Sequence, residues 1–172
     1  IQESFNFNTC HLLNDWESIG YSLAAFGDKD VSFIKKGSEF NNNSFFIGPG
    51  TGLGAALLIG DDKVIPTEIG NTTGLTKALL KNYFIDNDDH FRTLEDVLSG
   101  KAISSIYEFK TGTRLTSEDI VSRYGSDDDM ANLVVDGFIK SLAETISDMA
   151  LTFIAGRGIY VAGSLMRSIF KI

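Results

Sequence analysis

The sequence predicts an α/β domain. Three observations carry that expectation. Short apolar runs bounded by turn residues alternate with stretches of helical spacing, two of the runs join through a glycine turn, and one long amphipathic stretch leads into a last short run. With 172 residues, 43% of them hydrophobic, the chain can bury a sizeable core. Its charge excludes some partners. Lys and Arg number 15 against 23 Asp and Glu, a net charge of −8 with no basic cluster, so nucleic acid is not an expected partner. No stretch approaches the roughly 20 apolar residues that span a bilayer, so no membrane contact is expected. Cys10, His11 and His90 offer neither an internal disulfide nor a metal-ligand spacing.

The elements follow in order. Residues 10–13 read as a short apolar strand ending at Asn14-Asp15, and 16–26 place Trp16, Ile19, Gly20, Leu23 and Phe26 at helical spacing. The polar run Asn41-Asn42-Asn43-Ser44 is a turn before a buried strand over 45–47. A second strand is expected over 55–59 and a third over 63–66, joined by the hairpin-type turn Gly60-Asp61-Asp62. Helical patterns run over 75–84, 93–97 and 102–109, and Thr116-Ser117-Glu118-Asp119 opens another helix with an acidic first turn. The longest helix spans 130–151, with Leu133, Val134, Phe138, Leu142, Ile146, Met149 and Ala150 as a core-facing stripe. The run Asp127-Asp128-Asp129 enters that helix or lies in a solvated loop. Residues 158–163 read as a strand running into a turn.

The strongest local signal is Gly48-Pro49-Gly50-Thr51-Gly52-Leu53-Gly54. Its glycine spacing is not the dinucleotide fingerprint, which places two residues before its third glycine and a helix after it. No Gly-Lys-Ser/Thr follows, so it is not a Walker A loop. A hairpin tip of this kind can hold a phosphate on backbone amides and the Thr51 hydroxyl, or it is a tight turn chosen for its dihedral angles. Three carboxylates stand near strand ends. Asp15 can accept a proton from a hydroxyl attacking phosphorus, with Asn14 orienting the same substrate, or it caps a helix. Glu68 and Glu95 can accept bonds from vicinal sugar hydroxyls or are surface acids.

Together these pieces resemble the bacterial glucokinase family, the sugar kinases without a structural zinc. The resemblance runs across nearly the whole chain, through Leu13-Asn14-Asp15-Trp16, the glycine loop, Glu68-Ile69-Gly70-Asn71, Leu94-Glu95-Asp96-Val97-Leu98-Ser99-Gly100 and Gly158-Ile159-Tyr160-Val161-Ala162-Gly163-Ser164. It implies the actin-like ATPase (ribonuclease H-like) fold, a mixed sheet flanked by helices. It further implies a cytoplasmic kinase using ATP with Mg²⁺ carried on the nucleotide, for which a homodimer is open. Asp15 would be the catalytic base for the sugar 6-hydroxyl. Asn14, Glu68, Asn71 and Glu95 would hold the hexose, Gly50, Thr51 and Gly52 the ATP phosphates, and Gly163 and Ser164 the adenosine.

Three departures stand out. Asn71 occupies the place of the histidine in the family's Glu-Gly-Gly-His, Lys101-Ala102 replaces Pro-Gly after Ser99-Gly100, and Ser164 stands where a second glycine is common. The family's Asp-x-Gly-Gly-Thr phosphate loop is absent from these residues, and the chain opens on Ile1. A piece of a longer protein is therefore expected. Residues 1–26 would be the end of a smaller N-terminal domain with a hinge at 26–28, and 27–172 most of a larger C-terminal domain. Such a piece should not turn over alone, because kinases of this fold close two domains over substrate. Two other readings remain: a sugar-binding or regulatory protein whose chemistry is lost, and a structural ATPase-like protein on the same fold.

Overall fold

The structure, a computed structural model, describes residues 3–27, 29–86 and 89–172. Asp28, part of the expected hinge, and Ile1 lie outside the described residues. A four-stranded mixed sheet forms the centre, in the order β3-β2-β1-β4, with β1 Ser44–Pro49, β2 Leu53–Ile59, β3 Lys63–Thr67 and β4 Gly158–Val161. β1 and β2 pair antiparallel across the glycine turn and β2 and β3 across Gly60-Asp61-Asp62, whereas β1 and β4 run parallel. Gly60 supplies the left-handed backbone of its turn, with φ 67°. Pro66 sits on β3, an edge strand, where its missing N–H interrupts no ladder on the outer side.

Alternation along the strands divides the interior in two. Phe45, Ile47, Leu53 and Ala55 face the larger core, formed with α3 (Gly100–Thr111), α4 (Ser117–Ser122), α5 (Asp129–Phe153) and α6 (Ser164–Ile169). Phe46, Ala56, Leu58 and Val64 face the other way, under α1 (Asp15–Ser22), which brings Trp16 and Ile19 onto them. Every residue of β1 is buried, because helices cover both its faces. Phe45 stacks on Phe153 at 5.1 Å, and Phe46 stacks on its register partner Tyr160 at 5.0 Å.

The long helix forms as the pattern predicts, capped by Asp128, which accepts from the Ala131 N–H at 3.0 Å. Of the expected stripe, Val134, Phe138 and Leu142 are buried and Leu133, Ile146 and Met149 pack half-buried against the core. Gly137 lies on the same face because of Tyr83: a Cβ there would stand 2.5 Å from the Tyr83 ring. Tyr83 is wholly buried and donates its hydroxyl to the Val97 carbonyl at 2.7 Å. Burial drives its phenol far above the ordinary range, so it remains a donor. Tyr83→Phe should leave that carbonyl without its partner and lower stability by about 1–2 kcal/mol, read as a lower urea midpoint at unchanged m-value.

Three expectations are corrected. Residues 10–13 form no strand: Leu12 is 84% exposed and Leu13 47%, and no strand among the described residues lies beside them to complete a ladder. Residues 93–97 form turns rather than a helix, because Asp96 folds back on them. Its Oδ2 accepts from the Arg92 N–H at 3.1 Å, the Thr93 N–H at 3.0 Å and the Thr93 hydroxyl at 2.9 Å. The helix expected over 75–84 is two shorter pieces, α2 (Thr76–Leu80) and a 3₁₀ turn Lys81–Tyr83, stopped by the left-handed Phe84 at φ 54°. The Asn41 run does more than turn. Asn41 donates to the Ile154 carbonyl at 2.8 Å and accepts from Gly156 N–H at 3.0 Å, fastening the segment before β1 to the loop before β4.

Asp96 also makes the turn pH-sensitive. Burial opposes its ionisation, but the bonds from Thr93 and Arg92 and the charge of Lys101 outweigh it and hold the carboxyl below its ordinary value of 3.8. A depressed carboxyl stabilises the fold fully above its unfolded value and loses that contribution as pH falls through the folded one. Asp96→Asn should therefore cost about 1 kcal/mol at pH 5–7. The difference from the unmodified chain should shrink below about pH 4, a convergence that acid titration of both unfolding midpoints checks.

Candidate functional site

The site lies where β1 and β4 end. Two parallel strands leave their carboxyl ends side by side, and there each chain turns away, leaving a crevice. The Ala162 N–H still bonds the Ile47 carbonyl at 3.0 Å, so the Gly163 turn stays against the glycine loop. Gly163 has φ 118°, a backbone that side chains other than glycine resist, and precedes α6.

Packing divides the glycines of the loop by task. Gly48 and Gly54 are directly opposed in register, and the Trp16 indole lies across both: a Cβ on Gly48 would stand 2.0 Å from the ring, and one on Gly54 1.5 Å. Gly52 makes room for Glu95, whose Oε2 would lie 2.3 Å from a Cβ there. Gly50 alone meets nothing within 4 Å, so no neighbour requires its missing side chain. At the tip the Gly50 N–H bonds the Gly52 carbonyl at 2.8 Å, and the Gly100 N–H bonds the Gly50 carbonyl at 2.7 Å. The N–H groups of Thr51 and Gly52 and the Thr51 hydroxyl make no hydrogen bond among the described residues. Adjacent free donors of this kind can receive an anion.

Two clefts meet at this tip. The first, about 480 Å³, is lined by Asn14, Asp15, Trp16, Glu68 and Glu95, and by Gly50, Thr51, Gly52 and Gly163. The second, about 620 Å³, shares Gly50 and Thr51 and continues past Gly100, Lys101, Arg114 and the start of α4 to Ser164. The sequence-predicted residues thus converge, with two qualifications. Ser164 belongs to the second cleft, and Asn71 lines neither. Asn71 instead donates its side-chain amide to Glu68 Oε2 at 3.0 Å, from the 3₁₀ turn Ile69–Asn71 that follows β3.

Each carboxylate is placed by a local cause. Asn14 caps α1, accepting from the Trp16 N–H at 2.9 Å while Glu17 reaches back to the Asn14 N–H at 3.3 Å, so Asp15 is the first helical residue. Its Oδ1 takes the Trp16 N–H at 2.9 Å, and Oδ2 has no partner among the described residues. Both readings of this pair thus describe neighbours: Asn14 is the cap and Asp15 stands exposed at the cleft. Glu95 takes the Leu53 N–H at 2.9 Å, and its own N–H bonds the Gly70 carbonyl at 2.9 Å, so it joins the glycine loop to the Glu68 turn. Its Oε1 has no partner among the described residues. Sequence reasoning passed over Trp16, Lys101 and Arg114 as site residues. For Trp16 the signal was present, a large ring at a helix start and two glycines flanking a turn, but only the structure opposes the glycines in register and lays the indole across both.

A family model described as Glucokinase matches residues 1–172. A glucokinase of Sinorhizobium fredii is 30% identical over 178 residues, which cover 92% of this chain and 51% of that protein. Among solved structures, a glucokinase from an Antarctic psychrotroph superposes with a TM-score of 0.77 at 24% identity, covering 99% of this chain and 58% of that one. A ROK family glucokinase from Streptomyces griseus, solved with glucose and AMPPNP, gives 0.66 at 15% identity over 97% of this chain and 55% of that one. The chain spans about half the length of the curated relatives it matches.

Proposed function

Since the chain belongs to the glucokinase family, we propose that it carries the sugar and nucleotide clefts of an ATP-dependent hexose kinase. The observation that supports this most is the meeting of two clefts at Gly50 and Thr51, one edged by three carboxylates and the other by Lys101 and Arg114 together with Glu118 and Asp119. Glucose is the proposed sugar, held by Glu68, by Glu95 through its free Oε1, and by Asn14. Asp15 is the proposed general base. As the sugar O6 attacks the γ-phosphorus, Asp15 Oδ2 takes the hydroxyl proton, the new O6–P bond forms, and the bond to the β-phosphate oxygen breaks to release ADP. The free donors of Thr51 and Gly52 face the charge that gathers on the transferring group. Magnesium, arriving on the nucleotide, neutralises part of that charge. Ser164, in the second cleft, and Gly163, at the turn that borders the first, are proposed to lie against the adenosine.

In this reading residues 1–26 close a smaller domain, residues 27–172 form most of a larger one, and turnover needs both. The 172-residue chain alone should show no hexose phosphorylation in a coupled ADP assay. The site is proposed to work in the cytoplasm, and among the described residues no helix is long and apolar enough to cross a membrane. A homodimer is proposed on family grounds alone. A sugar-binding protein without turnover is the second reading, favoured by Asn71, whose amide engages Glu68 rather than the cleft. ATP-dependent phosphorylation of a hexose panel by the full-length gene product separates the two. Turnover on glucose supports the kinase with glucose as substrate, turnover on another hexose alone moves the specificity, and none from a folded, ATP-binding protein favours the second reading.

A further inference from the structure

The second cleft has a charge arrangement that the glycine loop does not explain. Its wall carries Lys101 and Arg114, both exposed, in a chain whose net charge is −8. Neither makes an ion pair or a hydrogen bond among the described residues. The cleft also carries two carboxylates, Glu118 and Asp119, which accept from the neighbouring Ser117 and Thr116 hydroxyls at 3.1 and 2.8 Å rather than from either cation. Asp96, which feels the Lys101 charge, is turned to Thr93 and Arg92.

Lys101 is also held in place. It follows Gly100, whose N–H bonds the Gly50 carbonyl at 2.7 Å and whose Cβ position is 2.9 Å from that oxygen and 3.3 Å from Ser117 Oγ. The residue after such a close approach cannot drift from the loop tip. The geometry points to Lys101, seconded by Arg114, as the cation that holds the polyphosphate of the nucleotide in the second cleft. This assignment rests on the reading of that cleft as the nucleotide site. A cation beside the Thr51 donors selects for phosphate number, because each added phosphate brings charge to it, whereas adenosine brings none.

The test compares ATP with magnesium, ADP, AMP and adenosine by isothermal titration on the full-length protein. The variants are Lys101→Gln, Lys101→Arg and Lys101→Gln with Arg114→Gln. Lys101→Gln should weaken ATP about tenfold, with adenosine and AMP within about twofold, Lys101→Arg should retain most of the affinity, and the double variant should lose roughly a further factor of ten. Thermal midpoints should move little, both side chains being exposed and the Lys101 charge being the smallest of the effects that act on Asp96. Undiminished ATP binding by the double variant overturns the assignment and leaves the nucleotide cleft standing. Equal losses for ATP and adenosine overturn it too, because they indicate a structural role. Failure of the folded, unmodified full-length protein to bind ATP or adenosine sinks the nucleotide reading itself, and the assignment with it.

Discussion

Asp15→Asn in the full-length protein should lower hexose phosphorylation by roughly a thousandfold, about 4 kcal/mol in the activation barrier, with little change in sugar affinity. The amide keeps the size of the carboxylate and one acceptor oxygen. It therefore preserves the bond that Oδ1 makes with the Trp16 N–H while removing the basicity assigned to Oδ2. Helix α1 should survive, because its cap is Asn14 and not Asp15. The measurements are kcat and glucose affinity side by side. A fall in kcat without loss of binding supports the general base. A rise in KM at constant kcat assigns Asp15 to holding sugar only, and retained turnover moves the base elsewhere in the cleft.

Gly54→Ala should be strongly destabilising, although no phosphate contact is assigned to Gly54. Its Cβ would stand 1.5 Å from the Trp16 ring nitrogen, so the indole must leave its seat. Trp16 has no alternative place on the sheet, because Gly48 across the strand offers the same floor and Gly20 lets the next turn of α1 lie on Val64. The expected loss is about 2–3 kcal/mol, the range for a forced repacking. Displacing α1 also moves Asp15. Trp16 is the only tryptophan, so its emission reports the event directly, shifting to the red as the ring meets water. Gly50→Ala is the control. With nothing within 4 Å and no left-handed backbone, it should leave stability within about 0.5 kcal/mol while weakening ATP. Equal stability losses for the two variants would refute the division of the loop by packing.

Much of the sheet was legible because its signals are local. Phe45-Phe46-Ile47 and Leu57-Leu58-Ile59 are short apolar runs next to glycine turns, and such runs extend into strands whichever way the rest folds. The long helix was legible for the same reason, its period running over many turns. The misread segments lack that independence. Residues 10–13 carry strand-forming side chains, yet a strand exists only with a partner, and none lies beside them among the described residues. Residues 93–97 open like a helix, with Thr93 three residues before Asp96. The Asp96 carboxylate instead gathers N–H groups from Arg92 and Thr93 and closes a turn. Asn71 was placed with the sugar from its position in the motif, but the 3₁₀ turn directs its amide to Glu68.

By itself the sequence determined the alternation of strands and helices, the glycine hairpin, the family, and the residues proposed for a phosphoryl-transfer site. Those are properties of neighbouring residues, and spacing along the chain records them. Only the tertiary structure decided which glycine serves which purpose, that Glu95 ties the loop to the Glu68 turn, and that Lys101 and Arg114 share a cleft with Thr51. Such relations join residues far apart in the chain, such as Leu53 with Glu95, 42 positions away, or face them across a sheet. They follow from strand register and from how closely two backbones approach, neither of which leaves a periodic trace in the sequence.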